Sequence, residues 1–450
     1  MHIDFLLDVF RNNREKEAII WKEKSFNYQW LLGQVHFWQE KIRKKNIAPG
    51  TVVILEADFS PNALALLLVL IEMEYIVVPL TSSVESQKPE FIKIAEGEIL
   101  FRVDEDDQLT ISKHLRSTTH RFYEQLRKSK HPGLVLFSSG STGKSKASLS
   151  DFSDILTKFM VPRYSLRTIA FLLFDHIGGI NTLLYTLSNA GCVVTVSDRT
   201  PEEVLNSIEK YKVELLPTSP TFINLILLSE AYKRFNLDTL KTITYGTEPM
   251  PESTLKRLHE LFPQIQLKQT YGLSELGILR SKSKGPDSLW VKVGGDGFET
   301  RVVDGLLEVR AKSAMLGYLN APSPFTEDGW FKTGDSVLTD GEYIRILGRE
   351  SEVINVGGEK VYPMEVESII QEFDNVAEVT VYGKKNAITG NMVCAKVRLV
   401  CPEDKKKFSI ALKKYCRGKM NTFKVPVKVE IDGQKQHSQR FKKSRVSRSS

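Results

Sequence analysis

Apolar runs of strand length alternate with segments whose apolar residues recur every three or four positions, and the alternation continues along most of the chain. The pattern predicts an α/β fold, with a large N-terminal part of mixed α/β subdomains on mainly parallel sheets and a small α+β part after it. One unit displays the logic. Residues 191–197 (GCVVTVS) read as a buried strand, and TPEEVLNSIEKY, beginning at Thr200, as the helix that follows. Thr200 supplies the N-cap, Pro201 the first helical position and Glu203 the reciprocal half of a capping box. Val204, Leu205 and Ile208 form the buried stripe, and VELLPTSPTF gives the next strand and its turn. A second helix is expected over 251–262, where Leu255, Leu258 and Phe262 stand at helical spacing.

A charged turn at Gly348 and Arg349, directly after the strand YIRIL, divides the chain into 1–348 and 349–450. Beyond it the pattern predicts a helix over 363–373, strands near 379–382 and 392–399, a helix near 410–416 and a strand over 425–431. No internal repeat or low-complexity linker interrupts the chain.

Composition narrows the class. With 450 residues, 41% hydrophobic and 26% charged, the chain is that of a soluble protein with more than one core. The apolar run from Ala63 stops at Glu72, with Glu74 next, short of the ~20 residues of a membrane-spanning helix. The N-terminus lacks the basic start and apolar centre of a signal peptide, so cytoplasmic residence is expected. Cys192, Cys394, Cys401 and Cys416 form no CxxC pair, which argues against a disulfide framework or a zinc site. The net charge of +7 is concentrated in Lys405, Lys406, Lys407, Lys413, Lys414 and the tail RFKKSRVSR. Such runs are commonly solvated ends, and without aromatic stacking residues they do not indicate nucleic-acid binding. Anionic cofactors fit the charge better.

The chemistry is concentrated in residues 134–148, LVLFSSGSTGKSKAS, where an apolar strand runs into Ser138, Ser139, Gly140, Ser141, Thr142 and Gly143, with Lys144 and Lys146 beyond. Small residues admit backbone N–H groups to phosphate oxygens, hydroxyls add donors, and lysine supplies countercharge. The two glycines are too close for a P-loop of the GxxxxGK[ST] type, which excludes that kinase or GTPase motif. A plain flexible Ser/Gly turn is the other reading of this composition.

SSGSTGKSKA resembles the phosphate loop of the acyl-adenylate-forming superfamily, which contains acyl-CoA synthetases, adenylation domains and luciferases; Ser145 and Ala147 stand where proline and glycine are common. Further motifs follow in the family's order. YGTEP, with Gly246, Thr247, Glu248 and Pro249, resembles the segment beside adenine, and QTYGLSE, with Thr270, Tyr271 and Gly272, resembles the next. The resemblance implies that Tyr271 stacks near adenine, Ser274 meets the α-phosphate and Glu275 holds Mg²⁺, a cation that prefers carboxylate and phosphate oxygens. GWFKTGD implies that Asp335 takes the ribose hydroxyls, with Arg349 beside it. Residues 348–367 resemble the crossing into a mobile C-terminal domain, with Ser351 where the hinge is usually Asp or Lys, and with Gly357 and Gly358 in the hairpin used for thiolation. FKKSR resembles the family's closing lysine motif and makes Lys442 the catalytic lysine; Phe441 replaces a glycine, and Lys443 is the alternative by an offset of one. A lysine in so basic a tail also reads as simple surface solvation.

Residues 171–187 resemble the acyl-pocket segment, which places Phe174, His176, Gly178 and Gly179 around the acid. His176 reads equally as a hydrogen-bonded helix-start residue, and Asp175 either as a partner for a substrate amine or as a cap. The apolar surroundings favour an aliphatic or aromatic acid. The implied reaction joins the acid to AMP from ATP, with release of pyrophosphate, and then to the thiol of coenzyme A. Two alternatives stay open: transfer to the phosphopantetheine of an acyl carrier protein, and a catalytically silent nucleotide or acyl binder in which Ser351 and Phe441 block the domain movement. The N-terminal portion is shorter than in many relatives, which bears on the acyl pocket and on a homodimer surface.

Overall fold

The computed structural model describes residues 2–113, 118–139 and 144–433. Three seven-stranded sheets and a smaller fourth sheet form the frame. In the first, strands Gln266–Gln269, Thr242–Tyr245, Leu215–Thr218, Arg167–Ile169, Cys192–Val194 and Glu17–Trp21 run parallel in that order, and Lys24–Asn27 closes the edge antiparallel. The second has Gly133–Ser139, Ile76–Leu80, Val52–Glu56 and Ile99–Val103 as its parallel centre. The third departs from the expectation of parallel sheets. From Tyr271–Leu273 to Phe298–Val303 every pairing in it is antiparallel; short turns join Tyr271–Leu273 to Gly277–Ser283, Phe298–Val303 to Leu306–Ala311 and Phe331–Asp340 to Tyr343–Arg349, and no crossover helix intervenes.

The largest core is helical and draws on helices Asp4–Asn12, Tyr28–Arg43, Pro61–Glu72 and Ile177–Ser188 together with residues of the first two sheets. The apolar run noted in the sequence is helix Pro61–Glu72, whose residues from Ala63 to Ile71 are all fully buried. A helix apolar on every side is the interior element of a large protein when it is this short. Ser60 caps it by accepting from the Ala63 amide at 3.3 Å, and Pro61 fills the first turn.

Helix Pro201–Tyr211 forms as expected, with the Thr200 hydroxyl accepting from the Glu203 amide at 3.3 Å. The capping box is only half made, since the Glu203 carboxylate accepts from Ser197 Oγ at 3.2 Å. The expected turn after VELLPTS is instead the start of helix Pro220–Ser229, which Ser219 caps and Pro220 opens. The second expected helix is Glu252–Leu261.

After strand Tyr343–Arg349 the chain enters the fourth sheet, in which Glu359–Val361, Ile354–Val356, Gly390–Leu399 and Val376–Asn386 are neighbours and Lys428–Ile431 pairs with Gly390–Leu399. Helices Pro363–Gln371 and Lys405–Lys419 cover it and share a separate apolar core. Both long strands and the second helix extend beyond the bounds read from the sequence, because charged residues occupy their outer turns. This part touches the larger one through Asn224 Nδ2, which donates to the Ala377 carbonyl at 3.1 Å, and Ser253 Oγ, which donates to that of Ser368 at 3.3 Å.

Candidate active site

The strands Leu215–Thr218, Thr242–Tyr245 and Gln266–Gln269 end level, with Thr218, Tyr245 and Gln269 in register. Carboxyl ends of parallel strands are where open α/β sheets take ligands. Three side-chain oxygens at this edge, Thr218 Oγ1, Thr247 Oγ1 and Gln269 Oε1, are buried and meet no hydrogen-bond partner among the described residues. Each such orphan costs about 1–3 kcal/mol, so three together point to a polar ligand. Thr247 also holds a φ of +72°, an uncommon conformation for a β-branched residue. Before it stands Gly246, where an added Cβ would lie 2.5 Å from Thr270 Oγ1 and 2.8 Å from the Thr270 carbonyl. Only glycine lets these two segments close on one another. Glu248 is turned onto the start of helix Pro220–Ser229, where Oε1 accepts from the Thr221 amide at 2.8 Å and from its hydroxyl.

Ser138 and Lys146 are register partners in the antiparallel pair Gly133–Ser139 and Ser145–Asp151, so residues 140–143 form the connection between two paired strands. Gly140, Ser141, Thr142 and Gly143 lie outside the described residues. What flanks them is well held. The Asn320 amide donates to the Ser145 carbonyl at 2.9 Å and accepts from the Ala147 amide at 2.9 Å, pinning the strand that leaves the loop. Ser138 Oγ donates to Glu275 Oε1 at 3.3 Å, Tyr318 Oη donates to the same oxygen at 2.8 Å, and Lys146 Nζ lies 5.1 Å from the Tyr318 ring centre. Among the described residues, the hydrogen bonds from Ser138 and Tyr318 to this buried carboxylate both arrive at Oε1. Among the described residues no cluster of three metal-binding side chains occurs. A single carboxylate suits Mg²⁺, which usually completes its shell with water and phosphate oxygens.

The residues assigned to ribose also come together. Tyr271 Oη donates to Asp335 Oδ2 at 2.6 Å, and Arg349 Nε pairs with Oδ1 at 2.8 Å. Thr333 fixes the corner, since its Oγ1 accepts from the Asp335 amide at 3.0 Å and its carbonyl from Arg349 at 2.6 Å. Burial raises the Asp335 carboxyl above its ordinary range despite the opposing Arg349 charge and the Tyr271 hydrogen bond, and nearby Glu275 adds to the rise. Burial and the Asp335 charge push the Tyr271 phenol well up. Tyr271 is therefore tied to the Asp335 carboxylate through its hydroxyl. Ser274 is half-buried between Leu273 and Glu275.

His176, which the resemblance places at the acyl pocket, is the N-cap of helix Ile177–Ser188, its Nδ1 accepting from the Gly178 amide at 3.1 Å. Phe174 is fully buried, edge-to-face on Phe59 at 5.2 Å. At Gly179 a Cβ would fall 2.0 Å from the Leu173 carbonyl, and at Gly178 2.7 Å from the Leu172 side chain, so both glycines serve close packing. Asp175 is buried and accepts from Thr81 Oγ1 at 3.0 Å. Ser351 is exposed in the turn Glu350–Glu352. Gly357 and Gly358, with φ of +59° and +93°, form the two-residue loop of the hairpin that pairs Val356 with Glu359. Lys442 and Lys443 lie outside the described residues.

The family profile described as AMP-binding enzyme matches residues 8–309, and the profile of its C-terminal domain matches 365–442. The chain belongs to the AMP-binding enzyme family. Among curated relatives, an indoleacetate–CoA ligase of Aromatoleum aromaticum is 28% identical over 293 residues, 59% of this chain and 57% of its own length. Acyl-CoA synthetase 7 of Caenorhabditis elegans is 30% identical over 56% of this chain and 53% of its own. The matched stretch thus spans little more than half of these relatives. The fold is that of adenylate-forming structures, with a large N-terminal and a smaller C-terminal domain. An anthranilate CoA ligase in complex with anthranoyl-AMP superposes with a TM-score of 0.81 at 17% identity, covering 97% of this chain and 95% of that one. ATP-bound MatB of Rhodopseudomonas palustris does so with a TM-score of 0.78 at 21% identity, covering 96% and 95%.

Thr218, Gln269, Thr333, Tyr318 and Asn320 escaped the sequence reading of the site. Gln269 and Thr333 stand inside motifs that were recognised and had a signal. Tyr318 and Asn320 had none, and neither had Lys158, which lies on the turn Thr157–Phe159. Lys158, half-buried, donates to the Ile278 carbonyl at 2.9 Å and lies 5.1 Å from the Phe159 ring centre. Burial and the neighbouring Arg280 lower its ammonium to about 8.

Proposed function

We propose that this AMP-binding enzyme is an acyl-CoA synthetase: the carboxylate of a small aliphatic or aromatic acid attacks the α-phosphorus of ATP, the bond to the β-phosphate breaks, and acyl-AMP and pyrophosphate result. The thiol of coenzyme A then attacks the acyl carbonyl, loses its proton, and expels AMP. One observation carries the reading: Ser138, Lys146, Tyr318 and Glu275 form one connected group beside the Tyr271, Asp335 and Arg349 group, in a chain whose family binds AMP. The curated relatives are named as a CoA ligase and an acyl-CoA synthetase, which favours free coenzyme A over a carrier protein as acceptor.

In this reading Asp335 accepts both ribose hydroxyls while Arg349 keeps it ionised, and Tyr271 holds it in place beneath the adenine. The loop at 140–143 and Lys146 bind the phosphates, and Ser274 meets the α-phosphate. Glu275 holds Mg²⁺, which offsets charge on the departing pyrophosphate. Lys442 supplies a cation to the developing charge on the α-phosphate. Residues 349–450 act as the mobile domain, turning about Ser351 to exchange Lys442 for the Gly357–Gly358 hairpin. Four free cysteines accord with residence in a reducing cytoplasm.

The test is ATP–pyrophosphate exchange over a panel of acids, followed by thioester formation with coenzyme A, for the natural chain and for Lys442→Ala. Exchange that depends on one acid class and is lost in the variant is the expected result. ATP binding without exchange for any acid would sink it in favour of a silent binder.

A further inference from the structure

Helix Ile177–Ser188 packs on strand Gly277–Ser283 and on the turn Thr157–Phe159 that carries Lys158. The strand is also bound to the adenylate side of the site. Ile278 is the register partner of Gly272, and a Cβ on Gly272 would lie 2.5 Å from Ile278 Cδ1. The seam between these three elements therefore begins at the segment Thr270–Glu275 and runs along the helix to which the acyl group is assigned.

A cation stands in this seam without an anion. The Lys158 ammonium has one hydrogen bond, to the neutral Ile278 carbonyl, and no carboxylate among the described residues pairs with it. The charged group acting on it is Arg280, which repels it and is itself engaged by Asp296 at 2.6 Å. Asp154 stands four residues earlier, the spacing of a helical ion pair, yet Lys158 turns away from it and inward to Ile278. Other sheltered cations in the molecule are answered: Lys88 by Glu56 at 2.7 Å, Arg167 by Glu17 at 2.6 Å and Lys424 by Glu365 at 2.6 Å. Buried charge is ordinarily paired, because its lost hydration must be replaced. Helix Ile177–Ser188, which packs on that turn, carries another unspent polar group: the Asn181 Oδ1 is buried and has no hydrogen-bond partner among the described residues. The two ends of an amide are interchangeable by rotation, so Asn181 can present a donor there instead.

We propose that Lys158 is a specificity-determining residue that receives a second anionic group on the acid substrate, so that the preferred substrate is a dicarboxylic acid, with Asn181 supplying a further polar contact. The inference rests on the adenylation reading and on its assignment of helix Ile177–Ser188 to the acyl group. A monocarboxylic acid fills the seam with methyl or ring carbons and leaves the ammonium unanswered. A second carboxylate supplies the missing countercharge in a sheltered place, where a charge-assisted hydrogen bond counts most.

The experiment compares matched acids, hexanoic with hexanedioic and benzoic with the benzenedicarboxylic acids, in ATP–pyrophosphate exchange by the full chain, by Lys158→Met and by Lys158→Arg. The natural chain should prefer the diacid of at least one pair in kcat/KM by about tenfold or more. That ratio should collapse in Lys158→Met and persist in part in Lys158→Arg. Because the readout is a ratio within one protein, partial loss of folded enzyme does not alter it. Calorimetric titration of each acid without ATP separates the two readings. Exchange with a ratio near one, or a ratio untouched in Lys158→Met, overturns the role of Lys158 and leaves adenylation standing. Diacid binding that disappears in Lys158→Met, with no exchange for any acid, upholds the role of Lys158 and overturns adenylation. Absence of both exchange and binding for every diacid overturns the inference.

Discussion

The two ends of the candidate site are built on opposite plans. At the end that the proposal assigns to the nucleotide, the Asp335 carboxylate meets Tyr271 at one oxygen and Arg349 at the other, and Thr333 holds the Asp335 backbone amide and the Arg349 guanidinium. At the end that the proposal assigns to the acid, Lys158 meets the Ile278 carbonyl and Asn181 Oδ1 meets no hydrogen-bond partner among the described residues. A group that contacts the same ligand in every turnover gains from being fixed beforehand, since no reorganisation is then needed at the moment of reaction. A group that distinguishes one acid from another gains from remaining unsatisfied until the right acid arrives, because the wrong acid then leaves a buried charge unpaired.

Breaking the satisfied end should have the largest effect. In Asp335→Ala two charged contacts to ribose are lost and Arg349 and the buried Tyr271 hydroxyl lose their acceptor. With each contact worth about 1.5–3 kcal/mol, kcat/KM for ATP should fall by about a hundredfold or more. Pyrophosphate exchange against ATP concentration measures it, and a loss of less than tenfold would detach Asp335 from the nucleotide.

The same carboxylate should also set an acid limit. Burial raises the Asp335 carboxyl, so the protonated form, which cannot accept from both partners, appears at a higher pH than for an exposed aspartate. Exchange should therefore be intact at neutral pH and fall about tenfold per unit once pH drops through this raised value. Asp335→Asn, slow but without a titrating group, should flatten the limb. A limb in the ordinary aspartate range, unchanged in Asp335→Asn, would assign it elsewhere.

A smaller effect belongs to the group around Glu275. Tyr318→Phe removes one hydrogen bond, 2.8 Å long, from a carboxylate that keeps the Ser138 contact. A loss of about 1 kcal/mol, or about fivefold in kcat/KM, should follow, together with a higher Mg²⁺ requirement. An unchanged Mg²⁺ titration would show that Tyr318 does not orient Glu275.

Much of this was legible in the chain. Helix Pro201–Tyr211 was announced by its Thr200 cap, Pro201 and apolar stripe, all local signals. Motif residues Tyr271, Asp335, Arg349 and Glu275 were marked by type and order, and they do assemble. The expectation of mainly parallel sheets holds for the first two sheets; the antiparallel third was not distinguished, because apolar alternation gives strand content and says little about the direction of pairing. The turn after Thr218 was a helix start, since Ser219 and Pro220 suit both. Tyr318 and Lys158 were invisible for a different reason. Their partners are 43 and 120 residues away along the chain, so the contact that gives each its meaning exists only after folding.

The smallest effect should come from the unsatisfied end, and with the opposite sign. Lys158→Met keeps a flexible apolar stem of similar length in the seam and removes a charge that no carboxylate among the described residues offsets. Burial and Arg280 lower the folded-state ammonium to about 8, whereas an unfolded lysine titrates near 10.4. Below pH 8 both states are protonated, and the folded state bears the whole cost of the sheltered charge. Between these values the unfolded chain still binds a proton that the folded one has released, so the stability of the natural chain rises with pH. Lys158→Met should therefore unfold later than the natural chain at pH 7, by about 1 kcal/mol or about 1 °C, and the gap should narrow as pH approaches 10. Scanning calorimetry on both chains across this range reads the sign directly. A variant less stable at pH 7 would mean that the carbonyl of Ile278 alone satisfies Lys158, and the contrast between the two ends of the site would fail with it.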